Sequence, residues 1–145
     1  MTGMTASSIG GSWPDKMRQL YGASPIHAYM GFTMEEVGDG EVTVVLAAKP
    51  EFVNGIGVIH GGVITAGLDS AILQSVRSRC SDGDRLTTVE LKVNFLEGAH
   101  PPRLVFKGRA VRVGGSLGVA LGDAYDENGK HVATAMGTIS IRRRR

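Results

Sequence analysis

The sequence predicts an α+β fold in which an antiparallel sheet of about six strands wraps around one long central helix. One long apolar helical pattern occurs, two strand patterns precede it, and four follow it almost without interruption. Runs of strands beside a single helix favour an antiparallel sheet over alternating β–α units. Because the helix is apolar on nearly every side, it must be covered nearly all round, and a wrapped sheet provides that cover.

The N-terminal part predicts a short helix followed by a β-hairpin. Pro14 to about Tyr21 has helical character, with Ser12 in the capping position and a proline in the first turn. Pro25 is expected to break the chain. Residues 31–37 and 41–48 flank a Gly-Asp-Gly turn, so they predict two paired strands.

The long helix and the remaining strands come next. Residues 50–60 predict an irregular segment, and Gly61 to Arg79 repeat apolar residues at helical spacing without an interrupting proline. The strand patterns after the helix alternate apolar and polar residues, and the last two are joined by a turn that contains Asn-Gly. They are predicted at Leu86–Leu96, Leu104–Val113, Leu117–Tyr125 and His131–Arg142.

The composition fits one ordinary globular domain. The chain has 145 residues, of which 42% are hydrophobic and 21% charged, and its formal net charge of +2 is too small to favour a nucleic-acid partner. We expect residues 1–13 to be a flexible lead-in and residues 14–145 to form a single domain. The basic excess is concentrated at the C-terminus, where Arg143 to Arg145 are expected to be solvated and frayed.

Cysteine content and hydropathy bear on the location of the protein. A single cysteine, Cys80, excludes an internal disulfide and a cysteine-based zinc cluster, and it fits a reducing cytoplasm. No window approaches the ~18 consecutive apolar residues of a membrane helix, and the first residues lack the pattern of a signal peptide. We therefore expect a cytoplasmic protein without a membrane partner.

Several residues able to do chemistry lie close together in the stretch NGIGVIHGGVITAGLDSAIL, residues 54–73. A carboxylate in an apolar helix costs free energy unless it is paired or used, so Asp69 is a candidate nucleophile or general base. Gly61 and Gly62 leave the N–H groups at the helix start open to a ligand oxygen, which such groups stabilise when it becomes an oxyanion. The amide of Asn54 can orient a water or a carbonyl group.

Each of these residues also has an ordinary structural interpretation. Asn54 is a common turn residue, His60 can cap a helix, and Gly-Gly pairs are frequent in turns. Asp69 can pair with an arginine or with Thr65. Taken singly, a structural role is favoured for every residue except Asp69, whereas their joint spacing favours a functional site. No metal site is expected, because the histidines lack the spacing of metal ligands, and Gly114-Gly115-Ser116 is not a phosphate-binding loop.

The motif N-x-x-G-x-x-H-G-G, followed by an aspartate in the next helix, resembles that of the hotdog-fold thioesterases. The nearest branch is the PaaI-like (phenylacetate-pathway type) group of acyl-CoA thioesterases. The likeness extends from about Pro25 to Arg142 and includes the hairpin before the motif and the four strands after it. In this chain the motif comprises Asn54, Gly57, His60, Gly61, Gly62 and Asp69.

The resemblance implies hydrolysis of an acyl-CoA, with an aryl or a short- to medium-chain acyl group, to a carboxylic acid and free coenzyme A. It assigns Asp69 as general base or nucleophile. It assigns the N–H of Gly61, or that of Gly62, as the donor to the oxyanion. His60 and Asn54 would orient the thioester and the attacking water.

The resemblance also implies residues that contact the rest of the substrate. Thr88, or Thr87 if the strand register differs by one, supplies a hydroxyl that helps to place the water. Residues 95–100 and 112–117 border the coenzyme A nucleotide, and Arg103, Arg109 and Arg112 are alternatives for holding its phosphates. The predicted substrate-binding residues are Gly62, Arg112, Gly114, Gly115, Ser116 and Arg142.

Cofactors and partners follow from the same resemblance. Coenzyme A is part of the substrate, and no other cofactor is implied. The family works as a homodimer, often with two dimers paired into a homotetramer, and each site takes the helix N-terminus from one subunit and Asp69 from the other. Two alternatives stay open: a non-catalytic acyl-CoA-binding sensor, and an acyl-CoA hydratase on the same fold, which the residue placement fits less well.

Overall fold

The computed structural model describes residues 9–145, which contain three α-helices, one short 3-10 helix (Pro50–Phe52) and six strands. Of the predicted flexible lead-in at residues 1–13, residues 1–8 lie outside the described residues. The elements are α1 (Trp13–Ala23), α2 (Pro25–Met30), β1 (Phe32–Val37), β2 (Glu41–Ala47), α3 (Gly61–Arg77), β3 (Arg85–Phe95), β4 (Arg103–Val113), β5 (Leu117–Asp126) and β6 (His131–Arg142).

The strands form one antiparallel sheet in the order β1-β2-β4-β5-β6-β3. The sheet curves around α3, which contacts the five strands β2 to β6. The predicted α+β class and the sheet wrapped around a central helix are therefore confirmed. β3 follows α3 in the chain but pairs only with β6, so one of its sides has no strand partner within residues 9–145.

Helix α3 approaches the sheet closely because glycines occupy the contact. An added Cβ at Gly108 of β4 would lie 2.0 Å from the carbonyl oxygen of Ala71 in α3. On the helix, an added Cβ at Gly67 would lie 2.3 Å from the ring of Phe106. Interiors are close-packed and cannot absorb such overlaps without moving the elements. The position of α3, and of every side chain it carries, therefore depends on these two glycines.

The two partly exposed flanks of α3 face different neighbours. Asp69 faces the edge strand β3, where Thr88 contacts it. Ser70 faces α2, where His27 contacts it. Consecutive helical residues point about 100° apart, which is why neighbours in the chain serve different surroundings. The helix thus presents a carboxylate to the edge strand and a hydroxyl to the N-terminal helices.

The helices differ from the prediction at two points, although Ser12 caps α1 as expected. Pro25, predicted to break the chain, instead lies in the first turn of α2, where its missing N–H would have had no partner anyway. α2 has six residues, ends at Met30 and is capped by Gly31, whose φ of 90° lies in the left-handed region. Helix α3 ends at Arg77 rather than Arg79, because the N–H of Arg79 donates to the carbonyl of Val76 in a tighter turn.

The C-terminal arginines contradict the expectation of a frayed tail. Asp84 is buried, and its carboxylate accepts hydrogen bonds from the backbone N–H of Arg144 at 2.9 Å, from the N–H of Ser81 at 3.0 Å and from the guanidinium of Arg143 at 2.8 Å. These bonds, that of the Arg144 backbone foremost, hold the pKa of Asp84 below its ordinary value. The expectation was wrong for Arg143 and Arg144 because a buried carboxylate needs donors, and the chain end supplies them.

Candidate active site

The first residues of α3 form a helix N-terminus with one open backbone donor. The Nδ1 atom of His60 accepts a hydrogen bond from the N–H of Gly62 at 2.8 Å, so the neutral ring of His60 carries its proton on Nε2. The N–H groups of Val63 and Ile64 donate to the carbonyl of His60. The N–H of Gly61 has no hydrogen-bond partner within residues 9–145. Of the two glycines that the sequence offers as oxyanion donors, Gly61 is the one whose N–H is free.

Phe95 restricts what can stand at the start of α3. Its ring lies 3.0 Å from the position that a Cβ at Gly61 would take. Phe95 ends β3 and is 55% exposed. A side chain at position 61 would therefore press on the ring and crowd the backbone donor. Glycine keeps the N–H of residue 61 accessible between the aromatic ring and the exposed ring of His60.

Asn54 organises the loop that leads into the helix. Its Oδ1 atom accepts hydrogen bonds from the N–H groups of Ile56 at 3.1 Å and Val58 at 3.2 Å. Its backbone N–H also donates to the carbonyl of Val58 at 2.8 Å. The N–H of His60 is anchored to the carbonyl of Phe52 at 2.8 Å. The structure therefore places Asn54 as a turn residue that fixes the approach to His60.

Asp69 is held by the hydroxyl of Thr88. Thr88 Oγ1 donates to Asp69 Oδ1 at 2.6 Å, and both residues are partly buried. Thr87, the alternative from the sequence, is exposed and lies opposite Ser140 on the other face of the sheet. The strand register therefore selects Thr88 over Thr87 as the hydroxyl beside the carboxylate.

The alternative partners that the sequence offers for Asp69 are engaged elsewhere or absent. Thr65 donates to the carbonyl of Gly61 at 2.8 Å. Within the described part of the chain, no lysine, arginine or histidine nitrogen lies within 4 Å of the Asp69 carboxylate. A partly buried carboxylate with one hydroxyl donor and no counter-ion retains lone pairs for a water or a substrate.

Of the residues predicted to border coenzyme A, residues 112–116 lie at the β4–β5 turn, near the C-terminal end of α3. Residues 95–100 and Gly62 lie at the opposite end, where Phe95 contacts the start of α3. The turn contains Gly114, Gly115 and Ser116, and its carbonyls at 114 and 115 accept hydrogen bonds from the guanidinium of Arg143 at 2.8 and 3.1 Å. Arg112 is exposed at the end of β4. Arg143 is thus engaged in holding the turn, while Arg112 remains available to an anion.

The sequence reasoning missed a cationic pair at the end of the sheet. Arg142 and Arg85 lie directly opposite each other in the β3–β6 register, and both are exposed. Like charges at such a position repel unless an anion separates them. Arg85 is three residues from Thr88, which corresponds to about 10 Å along a strand. No sequence signal could have found the pair, because the register of two distant strands creates it.

Two further structural facts concern membranes and metals. No helix in the described range 9–145 is long and apolar enough to cross a membrane. In the same residues, no three His, Cys, Asp or Glu side chains come together as a group able to hold a metal ion. The Cys80 thiol is buried near the end of α3, and burial raises its pKa.

Comparison with known proteins agrees with the motif. The model of the Thioesterase superfamily matches residues 56–133, a range that contains α3, Asp69 and Thr88. A "Putative esterase" of Saccharolobus solfataricus is 29% identical over 121 residues, which span 83% of this chain and 86% of the relative.

Solved structures extend the likeness to the whole fold. A thioesterase family protein from Silicibacter pomeroyi has a TM-score of 0.80 and 28% identity, over 86% of this chain and 93% of that chain. A "putative thioesterase, phenylacetic acid degradation-related protein" from Ralstonia eutropha JMP134 has a TM-score of 0.77 and 28% identity, over 86% and 97% of the two chains. The PaaI protein of E. coli shares the fold, with a TM-score of 0.78 at 18% identity over 86% and 88%.

These comparisons confirm the resemblance to hotdog thioesterases and to their PaaI-like branch. They support a hydrolase acting on thioesters in general. Because the family match spans more than half of the chain, the protein belongs to the thioesterase superfamily.

Proposed function

We propose that the protein hydrolyses an acyl-CoA thioester to a carboxylic acid and free coenzyme A. The observation that carries the proposal is the Asp69 carboxylate, which has no counter-ion among the described residues and accepts a 2.6 Å hydrogen bond from Thr88. Asp69 lies on α3, the helix that begins with the free N–H of Gly61. A thioester hydrolase needs a group that attacks or activates water and a donor for the oxyanion. Both kinds of group are provided by one short segment.

The N-terminus of α3 supplies the oxyanion site in this proposal. The N–H of Gly61 points away from the helix and carries part of the positive end of the helix dipole. The Nε2–H of His60 offers a second donor, because Nδ1 is occupied by Gly62. As the tetrahedral intermediate forms, negative charge moves onto the former carbonyl oxygen, and fixed donors stabilise that charge more than the neutral ester.

Helix geometry supports a site built from two copies of the chain. Gly61 and Asp69 are eight residues apart, which is about 12 Å along a helix axis. A reacting carbonyl must lie about 3 Å from both its oxyanion donor and the attacking oxygen. Gly61 and Asp69 of one chain therefore cannot act on the same carbonyl. We infer that Asp69 of one subunit meets Gly61 of another.

The free edge of the sheet supports a second copy beside the proposed site. β3 is eleven residues long and pairs on one side only among the described strands. Val89 on this strand is 63% exposed, and Ile56 in the loop between β2 and α3 is 85% exposed. A long open edge with apolar neighbours is a surface that a partner strand covers. A homodimer through β3 follows, and pairing of dimers into a homotetramer stays a prediction.

The coenzyme A moiety is assigned to the sheet surface near the β4–β5 turn. Arg112, Arg142 and Arg85 supply exposed cations there, and phosphates bind such groups through charge-assisted hydrogen bonds. The backbone of residues 114–116 and of Gly62 would border the ligand. Coenzyme A is the leaving group, so the proposal needs no separate cofactor. A cytoplasmic location stays a prediction from the single cysteine.

Two chemical routes are open to Asp69. As general base it takes a proton from water, the hydroxide adds to the thioester carbon, and the C–S bond then breaks to release coenzyme A thiolate, which is protonated. As nucleophile it adds to the carbon itself, expels the thiolate and forms an anhydride that water hydrolyses. In a single turnover in ¹⁸O-water, an unlabelled product acid together with ¹⁸O in Asp69 would identify the nucleophilic route, because water has then attacked the Asp69 carbon of the anhydride. The general-base route instead puts ¹⁸O in the product acid and none in Asp69.

A panel of aryl- and aliphatic acyl-CoA esters tests the proposal. Wild type should hydrolyse at least one of them, and Asp69→Asn should lose several powers of ten in kcat. Asp39→Asn is the matched control, because Asp39 is an exposed turn carboxylate that pairs with Arg79. Absence of turnover across the panel would contradict the proposal. Coenzyme A binding without turnover would favour a sensor, and addition of water to the acyl chain would indicate a hydratase.

A further inference from the structure

The edge strand β3 has an inner face that packs on the core and an outer face that is exposed. The inner apolar residues of the strand are Leu86, Leu91 and Val93. The exposed residues that alternate with them include Thr87, Lys92 and Asn94. The register with β6 skips Val89, between Thr88 and Glu90, which marks a bulge. Because directly opposed residues of an antiparallel pair share a face, a strand added to this edge must set inner residues opposite inner residues.

Two exposed charges on β3 have no oppositely charged partner in the described part of their own chain. Glu90 and Lys92 are both exposed, and neither forms a salt bridge within residues 9–145. The ammonium group of Lys92 donates to the side-chain oxygen of Asn94 at 3.2 Å. The two charges flank Leu91, so the strand reads acid, leucine, base. Such a strand is complementary in charge to a second copy of itself that runs in the opposite direction.

We propose that β3 pairs antiparallel with β3 of a second copy of the chain, about a two-fold axis at Leu91. In a two-fold interface, a contact from residue i to residue j is repeated from j to i. Glu90 of each copy then lies opposite Lys92 of the other, which gives one ion pair on each side of the axis. Opposite charges at directly opposed positions stabilise a sheet, whereas like charges destabilise it.

Neighbouring registers fit the strand less well. A shift by one residue would set Leu91 opposite Lys92, so that a core residue would face an exposed one. An axis at Lys92 restores the match of the faces but sets two lysines opposite each other. An axis at Val93 leaves Glu90 opposite Leu96, without a cation. The axis at Leu91 satisfies both the faces and the charges.

The same register brings together the two halves of the proposed active site. Counting from the axis and allowing for the bulge, Phe95 of the second copy lies opposite Leu86, two residues from Thr88. Within one chain the Phe95 ring lies against Gly61, and Thr88 holds Asp69. Residues at such diagonal positions are about 7–8 Å apart on one face. Asp69 of one copy and Gly61 of the other therefore come to the same part of the inner face. This step rests on the proposed function, whereas the register itself does not.

Charge reversal tests the pairing of Glu90 with Lys92. Glu90→Lys and Lys92→Glu each set like charges opposite each other on both sides of the axis. Each should raise the dimer dissociation constant about tenfold or more in sedimentation at low salt, with the variants folded by circular dichroism. The double variant Glu90→Lys/Lys92→Glu exchanges the charges and should restore wild-type association.

Lys107→Glu is the matched control for charge reversal. Lys107 is an exposed residue of β4, which lies three strands from β3 in the sheet, so its reversal should leave the dissociation constant unchanged. Single variants that associate as wild type does would overturn the pairing. A double variant that associates no better than the single variants would also overturn it, because the two charges would then not act on each other.

Cysteine cross-linking locates the axis. In a Cys80→Ser background, Leu91→Cys should form an intermolecular disulfide on mild oxidation. Opposed Cα atoms of an antiparallel pair are about 4.5–5.5 Å apart, within the range of about 4.4–6.8 Å that disulfides need. Val93→Cys shares the inner face, but its two copies would be about 13 Å apart along the strands and should not cross-link. Cross-linking of Lys92→Cys instead of Leu91→Cys would overturn the register.

The register and the enzymatic proposal can fail separately, because sedimentation and cross-linking need no substrate. A dimer in which Leu91→Cys does not cross-link would overturn the register even if the protein hydrolyses acyl-CoA. The expected cross-link in a protein that hydrolyses no thioester would support the register and refute only the proposed function. If both hold, the specific activity of Glu90→Lys should fall on dilution through its dimer dissociation constant. Activity independent of dilution would contradict a site shared across this register.

Discussion

Replacing Thr88 by valine tests whether this residue acts through Asp69. Valine has nearly the shape of threonine but lacks the hydroxyl, so the substitution removes the 2.6 Å hydrogen bond to Asp69 and little else. An O–H donor to a carboxylate at this distance is in the range of charge-assisted bonds, and a hydrogen bond to a charged group is worth about 1.5–3 kcal/mol. If Asp69 must be held in one orientation to react, kcat should fall by about 10- to 150-fold, with KM changed much less.

The assay is steady-state hydrolysis of the best acyl-CoA from the panel, with thermal unfolding measured in parallel. Thr88→Ser restores a hydroxyl and should recover most of the lost kcat. A double-mutant cycle with Asp69→Asn isolates the coupling between the two residues. Once Asp69 can no longer act, loss of the Thr88 hydroxyl should cost almost nothing more.

Two outcomes would refute this reasoning. Wild-type kcat in Thr88→Val would show that the hydrogen bond has no part in the reaction. Full additivity of Thr88→Val and Asp69→Asn would show that Thr88 acts on the substrate or the water independently of the carboxylate.

The remaining predictions concern the oxyanion donor, the packing of the helix and the anchored chain end. Gly61→Ala puts a methyl group 3.0 Å from the Phe95 ring and next to the free N–H, so kcat should fall by about tenfold or more while the melting temperature changes little; a wild-type rate would contradict the need for an open approach to that N–H. Gly108→Ala places Cβ 2.0 Å from the carbonyl oxygen of Ala71 and should cost about 1–3 kcal/mol or more in urea unfolding, so unchanged stability would disprove the close contact. The pKa of Asp84 is lowered in the folded protein by hydrogen bonds to the Arg144 backbone and its neighbours, so its stabilising effect is complete above its ordinary pKa and is lost as pH falls through the lowered value. Wild type should therefore melt well above Asp84→Asn at pH 7, with the difference shrinking towards pH 3; a difference independent of pH would contradict this role.

The local elements of the fold could be predicted because their signals are local. Strands β3 to β6 and helix α3 follow from apolar periodicity and turn residues, and their observed ends lie within two residues of the predicted ones. The Gly-Gly pair after His60 marks the start of α3 for the same reason. Asp69 stood out because a carboxylate in an apolar helix requires an explanation.

Short or context-dependent features escaped the same reasoning. Helix α2 has six residues, too few to show a helical period, and a proline favours a helix start as readily as a break. The final arginines resemble a solvated tail until Asp84 is known to be buried beside them. In both cases the residue type allows two structures, and the surroundings select one.

The sequence by itself determined which elements form and which residues can do chemistry. Only the tertiary structure decided which of those residues work together. It chose Thr88 over Thr87 beside Asp69, left the N–H of Gly61 free, and set Arg85 opposite Arg142. The physical reason is that periodicity along a chain is set by the local backbone, whereas contacts between elements depend on register and packing, and a shift of one residue turns a strand side chain to the opposite face.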